Sequence, residues 1–415
     1  MAASRLAMRR NAIEPVAVRL CRQADRLASA GRLAEAEALY RTSLAVDPAL
    51  ASAHNNLGNL LRARSGLAAA AAAYRAALRS GLEAALIFYN LAAVWRQMGG
   101  LTEAAVGYRV ALALDPGYAE AWNNQANLWR DQDRLRDAAF GYRRAVAIRP
   151  DWADGHDNFA SALYLLHERG DAPVAARLAR DWRSDHPDNP MARHIGSAIV
   201  GDSMEARAPD AYVRQTFDLF AAEFDNRLDE LGYRAPALLA EAVAASGPPP
   251  VAGLEILDAG CGTGLCAAAL RPFARGLAGV DLSGGMLERA RARGLYDHLE
   301  EGELVAHLAA NPNRYDLIVA ADVFCYFGDL ATAFAAAFAA LRPSGRLVLS
   351  VERLEDDDAA MTYRVGTHGR YAHRESYLRA ALVEVGFALL DLRVDGLRLE
   401  SGQPVMGVIA VASRP

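Results

Sequence analysis

The sequence of 415 residues contains no lysine, and all 45 of its basic residues are arginine. Schiff-base catalysis and the attachment of pyridoxal phosphate need a lysine amine, and a Walker phosphate-binding loop needs its lysine. The sequence therefore excludes these three kinds of site.

Cysteine is also scarce, and no Cys-x-x-Cys pair occurs among the four present, Cys21, Cys261, Cys266 and Cys325. This pattern argues against a disulfide scaffold and against a zinc cluster. The acidic run at residues 356–358 has no further ligand set around it, so we expect solvated carboxylates and no bound metal.

Long apolar runs are missing, since no stretch approaches the roughly 20 residues that span a bilayer. Residues 1–20 are rich in arginine but lack the apolar core and the cleavage site of a secretory signal. We therefore expect a soluble, cytoplasmic protein without a membrane segment.

The charge is divided unevenly along the chain. Up to Pro190 there are 24 arginines against 20 acidic residues, a net charge of +4, whereas the remainder has 21 against 30, a net charge of −9. Nucleic acids are usually bound by basic surfaces, so a nucleic-acid substrate for the acidic half is unlikely.

A repeat of 34 residues organises the first half of the chain. It relates four alanines and four tyrosines, Ala36, Ala70, Ala104 and Ala138 with Tyr40, Tyr74, Tyr108 and Tyr142. This period, with a small residue, a later aromatic and a proline near the end of most units, resembles the tetratricopeptide (TPR) repeat, in which each unit is a helical hairpin.

The repeats predict the domain boundaries. Four units cover residues 17–48, 51–82, 85–116 and 119–150, and a degenerate fifth begins near Ala153. We expect a repeat array at 17–187, a linker at 188–209, and a second domain at 210–415 with its core at 254–415.

Two polar ladders follow the same period, asparagines at Asn56, Asn90, Asn124 and Asn158 and arginines at Arg62, Arg96 and Arg130. By resemblance to peptide-holding TPR proteins, they would line the concave groove and bind the main chain and the carboxylates of a protein or peptide partner. The alternative is that the asparagines stabilise the hairpins whatever binds.

The second half opens with an apolar run that turns through glycines at residues 254–264, the pattern of a strand, a tight turn and a helix. Strands and helices then alternate, and two late runs carry no helix between them. This part resembles a class I S-adenosylmethionine-dependent methyltransferase. The predicted fold class is α + α/β, an all-α TPR solenoid followed by a Rossmann-like, doubly wound, seven-stranded methyltransferase domain.

The resemblance implies the cofactor S-adenosylmethionine. Gly260, Gly262 and Gly264 would hold its amino-acid portion, Asp258 its ammonium and Asp281 its ribose hydroxyls. Glu303 would address the adenine amino group, and the remaining predicted cofactor contacts are Leu282, Leu304 and Asp322.

A dinucleotide-binding domain is the competing interpretation of the glycines. Its turn would be Gly-x-Gly-x-x-Gly, whereas this chain has Gly-x-Gly-x-Gly with Leu265 following. The late strand pair and the segment Asp281-Leu-Ser also favour the methyltransferase.

Residues 216–225 and 231–236 resemble the helices that precede the core in a bacterial group joining TPR repeats to this methyltransferase. Four aromatic residues there are candidates for a lid over the cofactor, Phe217, Phe220, Phe224 and Tyr233. We expect at least three of them to cover the sheet edge as core.

Methyl transfer needs an aligned nucleophile and a place for its proton. The residues after the fourth and fifth strands supply the candidates, His373, His368 and Tyr326 for catalysis and Arg370 and Glu352 for substrate binding. The Pro-Pro-Tyr motif used on nucleobase or glutamine amines is missing.

The leading hypothesis is methylation of oxygen or nitrogen on an acceptor recruited by the array or through its partner. Two alternatives stay open, a small-metabolite methyltransferase whose array serves assembly, and a non-catalytic scaffold that binds the cofactor.

Overall fold

The computed structural model describes residues 14–81, 84–202, 205–247, 252–355, 361–400 and 402–415. Leu82, the predicted end of the second repeat, and the acidic run at 356–358 lie outside the described residues. The chain divides into two compact units, Met1–Gly155 and His156–Pro415.

The first unit is built from helical hairpins, two helices for each predicted repeat. Its helices are α1 Val16–Ser29, α2 Leu33–Val46, α3 Ala51–Ala63, α4 Leu67–Arg79, α5 Ala85–Gln97, α6 Leu101–Leu114, α7 Ala119–Asp131 and α8 Leu135–Ile148. The repeated alanines and tyrosines are all buried. The 34-residue period therefore corresponds to one hairpin.

Small residues set the spacing of the two helices within a hairpin. A Cβ added to Gly107 would lie 2.8 Å from the Ala92 Cβ, and one added to Gly141 would lie 2.8 Å from the Ala126 Cβ. These contacts are closer than side chains tolerate, so glycine at both positions lets the helices of the third and fourth hairpins approach.

Helix α9, Ala153–Leu166, begins at the end of the first unit, and the other helices of the second unit are α10 Ala172–Asp185, α11 Pro190–Val200, α12 Asp210–Phe220, α13 Phe224–Glu230, α14 Ala235–Ser246, α15 Ala267–Leu270, α16 Gly284–Ala292, α17 Leu304–Ala310, α18 Ala331–Ala340 and α19 Glu375–Val385. Its strands are β1 Leu254–Ala259, β2 Ala274–Asp281, β3 His298–Glu301, β4 Tyr315–Ala320, β5 Leu341–Arg353, β6 Tyr363–Val365, β7 Tyr371–His373, β8 Ala388–Glu400 and β9 Gln403–Ser413.

Strands β3, β2, β1, β4 and β5 lie side by side and run parallel. Strand β9 runs antiparallel between β5 and β8, with Val348 opposite Val411. The α + α/β fold and the terminal antiparallel pair are confirmed. The described residues add two short strands, β6 and β7, to the seven that were predicted, and β7 pairs with the end of β5.

The order of the strands positions the functional residues. Apolar side chains bury both faces of the sheet, with Val280 and Leu347 on one face and Leu317 and Ile409 on the other. The chain reverses strand order between β1 and β4, where the carboxyl ends of the strands leave a crevice.

Candidate active site

The glycine-rich turn after β1 holds three residues with a left-handed backbone, Gly260 at φ +64°, Gly262 at +54° and Gly264 at +87°. A Cβ at Gly260 would lie 2.5 Å from a Val323 methyl group, whereas one at Gly262 would meet nothing within 4 Å. Glycine is required for conformation at all three positions, and the turn exposes its backbone to open space at Gly262.

Asp281, the last residue of β2, holds the turn in place. Its Oδ2 accepts a hydrogen bond from the Gly262 backbone N–H at 2.8 Å, and its Oδ1 accepts one from the Ser283 N–H at 2.9 Å. Burial raises the pKa of Asp281, and these backbone hydrogen bonds oppose the rise. The carboxylate therefore connects the glycine turn to the start of α16.

Asp258 lies one strand away and is almost completely buried. The Tyr296 hydroxyl donates a hydrogen bond to its Oδ2 at 2.6 Å. Burial, assisted by the charge of Asp281, raises the pKa of Asp258 to about 7 although the tyrosine hydrogen bond lowers it. Tyr296 was not predicted, because it lies between α16 and β3 in no recognisable motif.

Glu303 caps helix α17, which the sequence pattern does not predict. Its carboxylate accepts hydrogen bonds from the Val305 and Ala306 N–H groups at 3.0 and 2.7 Å. Burial alone would raise the pKa of Glu303, but these bonds and an ion pair with Arg207 outweigh it and lower the pKa. The alternation of strands and helices predicts a third strand over residues 299–304, which is wrong at its end, since β3 ends at Glu301 and Leu304 begins α17.

A cavity of about 350 Å³ lies over the carboxyl ends of the strands. Eight of the nine predicted cofactor residues line it, Asp258, Gly260, Gly262, Asp281, Leu282, Glu303, Leu304 and Asp322. Gly264 shapes the turn but does not line the cavity. The structure thus brings together residues that are up to 64 positions apart in the sequence.

Helices α12 and α13 and the segment after them cover this cavity. Phe217, Phe220, Phe224 and Tyr233 all line it, and none of the four is fully buried. The expectation that at least three of them form core is therefore wrong. Residues that pack along one side of a cavity stay partly accessible, whereas the sequence shows only their apolar character.

Two aspartates fasten these helices to the loops of the site. Asp218 on α12 accepts a hydrogen bond from the Ser283 hydroxyl at 2.5 Å. Asp225 on α13 accepts one from the Thr263 hydroxyl and one from the Arg293 guanidinium, both at 2.5 Å. Neither aspartate was assigned a role from the sequence, although both lie in the segment 216–225 that the resemblance singled out.

A buried ion cluster lies at the end of the cavity formed by β5 and β8. Arg398 donates to Asp322 at 3.1 Å and to Glu400 at 2.8 Å, and Arg370 donates to Glu352 at 2.6 Å. Arg398 also pairs with Glu352, and Arg370 with Glu400. Arg370, Arg398, Glu400 and Asp322 line the cavity, whereas Glu352 is buried behind it.

The apolar pattern predicts the first of the two late strands over residues 387–394 only. Arg398 and Glu400 therefore lie outside the predicted strand, although β8 extends to Glu400. They alternate on the last residues of β8, and an Arg-x-Glu pair at the end of a strand gives no sign of burial. The pairing of β8 with β9 brings them to the carboxyl end of β5.

The predicted catalytic residues lie in different surroundings. Tyr326 lines the cavity, and burial raises its pKa far above the usual value. His373 is completely buried, its Nε2 lies 3.1 Å from the Gly328 carbonyl, and burial lowers its pKa to about 4. Burial and then the charge of Arg370 lower the pKa of His368 to about 4. Neither histidine lines the cavity.

In the first unit, the predicted groove asparagines bind neighbouring residues of the protein. Asn56 donates to Asp25 at 2.8 Å, and Asn90 donates to Asn59 at 3.2 Å. Asn124 donates to the Tyr89 hydroxyl at 2.9 Å. These bonds span 31 to 35 residues, so they join one hairpin to the next as the structural alternative requires. Asn158 lies on α9, in the second unit.

Two of the predicted groove arginines are partly exposed and form ion pairs. Arg96 lies 3.3 Å from Asp131 and Arg130 lies 3.6 Å from the same carboxylate, with about a third of each arginine side chain accessible. Arg62 lies near the end of α3. A peptide-binding role for this ladder stays a prediction.

A comparison with protein families matches part of the second unit. The family described as "Methyltransferase domain" matches residues 231–392. Residues 231–392 therefore resemble a methyltransferase domain. The match covers β1 to β7 and most of the cavity, and it begins immediately after helix α13.

Curated relatives match parts of the chain. Methyltransferase-like protein 27 from Homo sapiens is 46% identical over 115 residues, 26% of this chain and 47% of that protein. Ubiquinone biosynthesis O-methyltransferase from Methylobacterium sp. (strain 4-46) is 32% identical over 107 residues, 24% of this chain and 41% of that protein. The chain thus spans less than half the length of either relative.

Among solved structures, YrrB, described as a TPR protein with an unusual peptide-binding site, is similar at 22% identity and a TM-score of 0.36. The match covers 43% of this chain and 90% of YrrB.

No helix in the described part of the chain is both long and apolar enough to cross a membrane.

Proposed function

We propose that the chain is an S-adenosylmethionine-dependent methyltransferase that transfers a methyl group to oxygen or nitrogen of an acceptor. One observation carries the proposal: the left-handed glycine turn, Asp258 and Asp281 line a single cavity within a methyltransferase domain. The curated relatives include a named O-methyltransferase, which supports the same reaction class.

The described residues fit this cofactor. Asp258 would hold its ammonium and Asp281 its ribose hydroxyls, because both are buried carboxylates that face the cavity. The backbone at Gly262 borders space that a ligand can fill. Glu303 already accepts two backbone hydrogen bonds and an ion pair, so it would contact the adenine with its remaining lone pairs.

When bound, S-adenosylmethionine supplies a methyl group on a positively charged sulfur. The chain has to orient the acceptor, exclude water and accept a proton. Phe217, Phe220 and Phe224 provide an apolar cover, and Tyr326 lies in the cavity with a hydroxyl that burial keeps protonated. We assign no direct proton transfer to His373 or His368, because neither lines the cavity.

The repeat array would recruit the acceptor or a protein that carries it. Its support is the hairpin period and the partly exposed arginines of the first unit. The asparagines contribute to this surface through the hairpin contacts that they stabilise.

Calorimetric titration with S-adenosylmethionine tests the proposal, with NADH as the competing ligand and Asp281→Ala as the variant. We expect micromolar binding of S-adenosylmethionine that the substitution abolishes. Binding of NADH instead, or binding of neither ligand, would overturn the proposed function.

A further inference from the structure

The buried ion cluster contains more negative than positive charge. It has three carboxylates, Asp322, Glu352 and Glu400, and two guanidinium groups, Arg370 and Arg398. A pair of salt bridges would need only two carboxylates, so one negative charge is left over inside a largely apolar cavity. Uncompensated charge in such a place is costly, and proteins retain it mainly where a ligand uses it.

Asp322 is counted as an anion because it pairs with Arg398 and accepts a hydrogen bond from Ser350. The Ser350 hydroxyl accepts the Asp322 backbone N–H at 2.9 Å and donates its own proton to Oδ1 at 2.7 Å. Oδ2 accepts from Arg398 at 3.1 Å. Burial raises the pKa of Asp322, but the charge of Arg398 and the Ser350 hydrogen bond oppose the rise and favour the carboxylate.

The neighbouring histidine does not restore neutrality. His368 Nδ1 accepts the Arg370 backbone N–H at 3.1 Å, and its Nε2 lies 3.7 Å from Glu352. Burial and the charge of Arg370 lower its pKa to about 4, so the ring is neutral near pH 7. The excess charge of the cluster stays at minus one.

The guanidinium groups of Arg370 and Arg398 already donate hydrogen bonds within the cluster. All three nitrogens of Arg398 donate to carboxylates of the cluster, and Arg370 uses two of its nitrogens in the same way. An acidic ligand would have to compete with these partners and would add a second negative charge to the excess. The cluster is therefore poorly suited to a carboxylate or a phosphate.

Glu400 is the member that can reach a ligand. Both arginines donate to its Oε1, and Oε2 has no hydrogen-bond partner among the residues that the structure describes. Its side chain keeps 24% of its accessible surface, against 6% for Glu352. Glu400 lines the cavity, and Oε2 is the acceptor atom that its arginine partners leave for a ligand.

Two further arginines line the cavity without changing this balance. Arg207 pairs with Glu303 and Asp210. Arg227 lies over the Phe220 ring at 4.5 Å with 55% of its side chain accessible, so solvent screens its charge.

We propose that the acceptor is an amine on an apolar or aromatic body, held through its nitrogen by Glu400. The aromatic cover and the apolar side chains of Val213, Leu228 and Leu231 suit the body of such a molecule. The inference rests on the proposed function for turnover, but the binding preference can be measured without it.

Methyl transfer to an amine would move one proton and one positive charge. The amine first gives its extra proton to Glu400 or to water, which frees the nitrogen lone pair. The nitrogen then forms the new N–C bond while the C–S bond breaks, and its electron pair stays on sulfur. The positive charge passes from sulfur to the methylated nitrogen, which Glu400 again stabilises.

Three probes that share a phenethyl group test the inference by calorimetry at pH 7 on the full chain with S-adenosylhomocysteine, namely phenethylamine, phenethyl alcohol and 3-phenylpropionate. We expect the amine to bind at least ten times more tightly than the acid or the alcohol. Equal or tighter binding of the acid, or equal binding of the alcohol, would overturn the inference whether or not any variant folds.

Glu400→Gln keeps the shape and an acceptor oxygen but removes the excess charge. The affinity for phenethylamine should therefore fall about tenfold, and its ratio to the affinities for the alcohol and the acid should become smaller. Glu384→Gln, an exposed position on α19, is the matched control and should leave both unchanged. An unaltered preference in a folded Glu400→Gln protein would contradict the assignment. Failure of S-adenosylhomocysteine to bind is a separate result that speaks against the proposed function instead.

Discussion

Asp258 combines two properties that make the cofactor site sensitive to pH. It is buried, and the only side chain that donates to it among the described residues is the Tyr296 hydroxyl. Burial raises its pKa to about 7, so near neutral pH it is divided between the carboxylic acid and the carboxylate. Only the carboxylate attracts an ammonium group.

This predicts that the affinity for S-adenosylmethionine falls as the pH is lowered. With a pKa of about 7, half of Asp258 is ionised at pH 7 and only a few per cent near pH 5.5. We expect the affinity to fall roughly tenfold over that range. Titration calorimetry at a series of pH values measures it. Asp258→Asn should bind weakly with a flat profile, and a wild-type profile that is equally flat would contradict the prediction.

Gly260 predicts a steric effect at the same site. An added methyl group would lie 2.5 Å from Val323 at a backbone φ of +64°. We expect Gly260→Ala to destabilise the second unit by roughly 1–3 kcal/mol and to weaken cofactor binding. Gly396→Ala is the control, since nothing lies within 4 Å of its added Cβ. Similar losses of unfolding free energy in the two variants would contradict the steric argument.

Among the elements, the hairpins of the first unit share a hydrogen bond that one repeat lacks. Tyr74 donates to Asn59 at 2.7 Å, and Tyr142 donates to Asn127 at 2.6 Å. Ala93 occupies the corresponding place for Tyr108, 34 residues after Asn59. Among the described residues, the buried Tyr108 hydroxyl has no hydrogen-bond partner.

Ala93→Asn should therefore stabilise the array by about 1 kcal/mol, because it supplies the missing acceptor. Urea unfolding of the full chain measures the change in the free energy of unfolding. The gain should disappear in a Tyr108→Phe background, which removes the donor. A gain of the same size with and without the hydroxyl would show that the asparagine acts elsewhere.

The helices and strands also show which parts of the fold can be predicted from the sequence. Repetition and alternation predicted the hairpins, the parallel strands and the late strand pair, because each depends on a pattern within one segment. The β6–β7 hairpin and the capping of α17 by Glu303 were missed, since three-residue strands and a single cap carry too little pattern. Tyr296, Arg398 and Glu400 reach the site only through strand pairing and long-range contacts.

The cover formed by α12 and α13 predicts a kinetic effect. Asp225 holds α13 to Thr263 and Arg293 with two hydrogen bonds. We expect Asp225→Ala to speed cofactor release about tenfold, which corresponds to the loss of roughly 1–2 kcal/mol from the closed state. Stopped-flow displacement measures the rate. Asp229→Ala, an exposed change on the same helix, is the control, and equal rates for both variants would rule out a fastening role.

For the whole molecule, the uneven charge suits the two binding functions that we propose. The basic part of the chain, up to Pro190, has a net charge of +4, whereas the acidic remainder has −9. We expect the basic array to attract acidic peptides and the acidic second unit, with its excess carboxylate, to attract amines. Each part would then bind a ligand of opposite charge, a negatively charged peptide for the array and a positively charged amine for the second unit.

This separation predicts that the arginine ladder can be removed without loss of the cofactor. Arg62→Ala, Arg96→Ala and Arg130→Ala together should weaken binding of a 12-residue Asp-Ala repeat peptide at least tenfold relative to wild type. The affinity for S-adenosylmethionine should not change, because Asp258 and Asp281 belong to the other unit. Calorimetry at two salt concentrations measures both, since binding between exposed charges weakens as salt screens them.

Two comparisons make that result specific to the ladder. The exposed pair Arg79→Ala and Arg109→Ala lies outside the period of the ladder and should reduce peptide binding far less. An Asn-Ala peptide of the same length tests the charge, because it keeps the main chain that the array would also contact. If wild-type protein bound the neutral peptide as tightly as the acidic one, the arginines would not determine the choice of partner. The asparagine contacts would then serve only to join hairpins, and recruitment would depend on a surface other than the ladder.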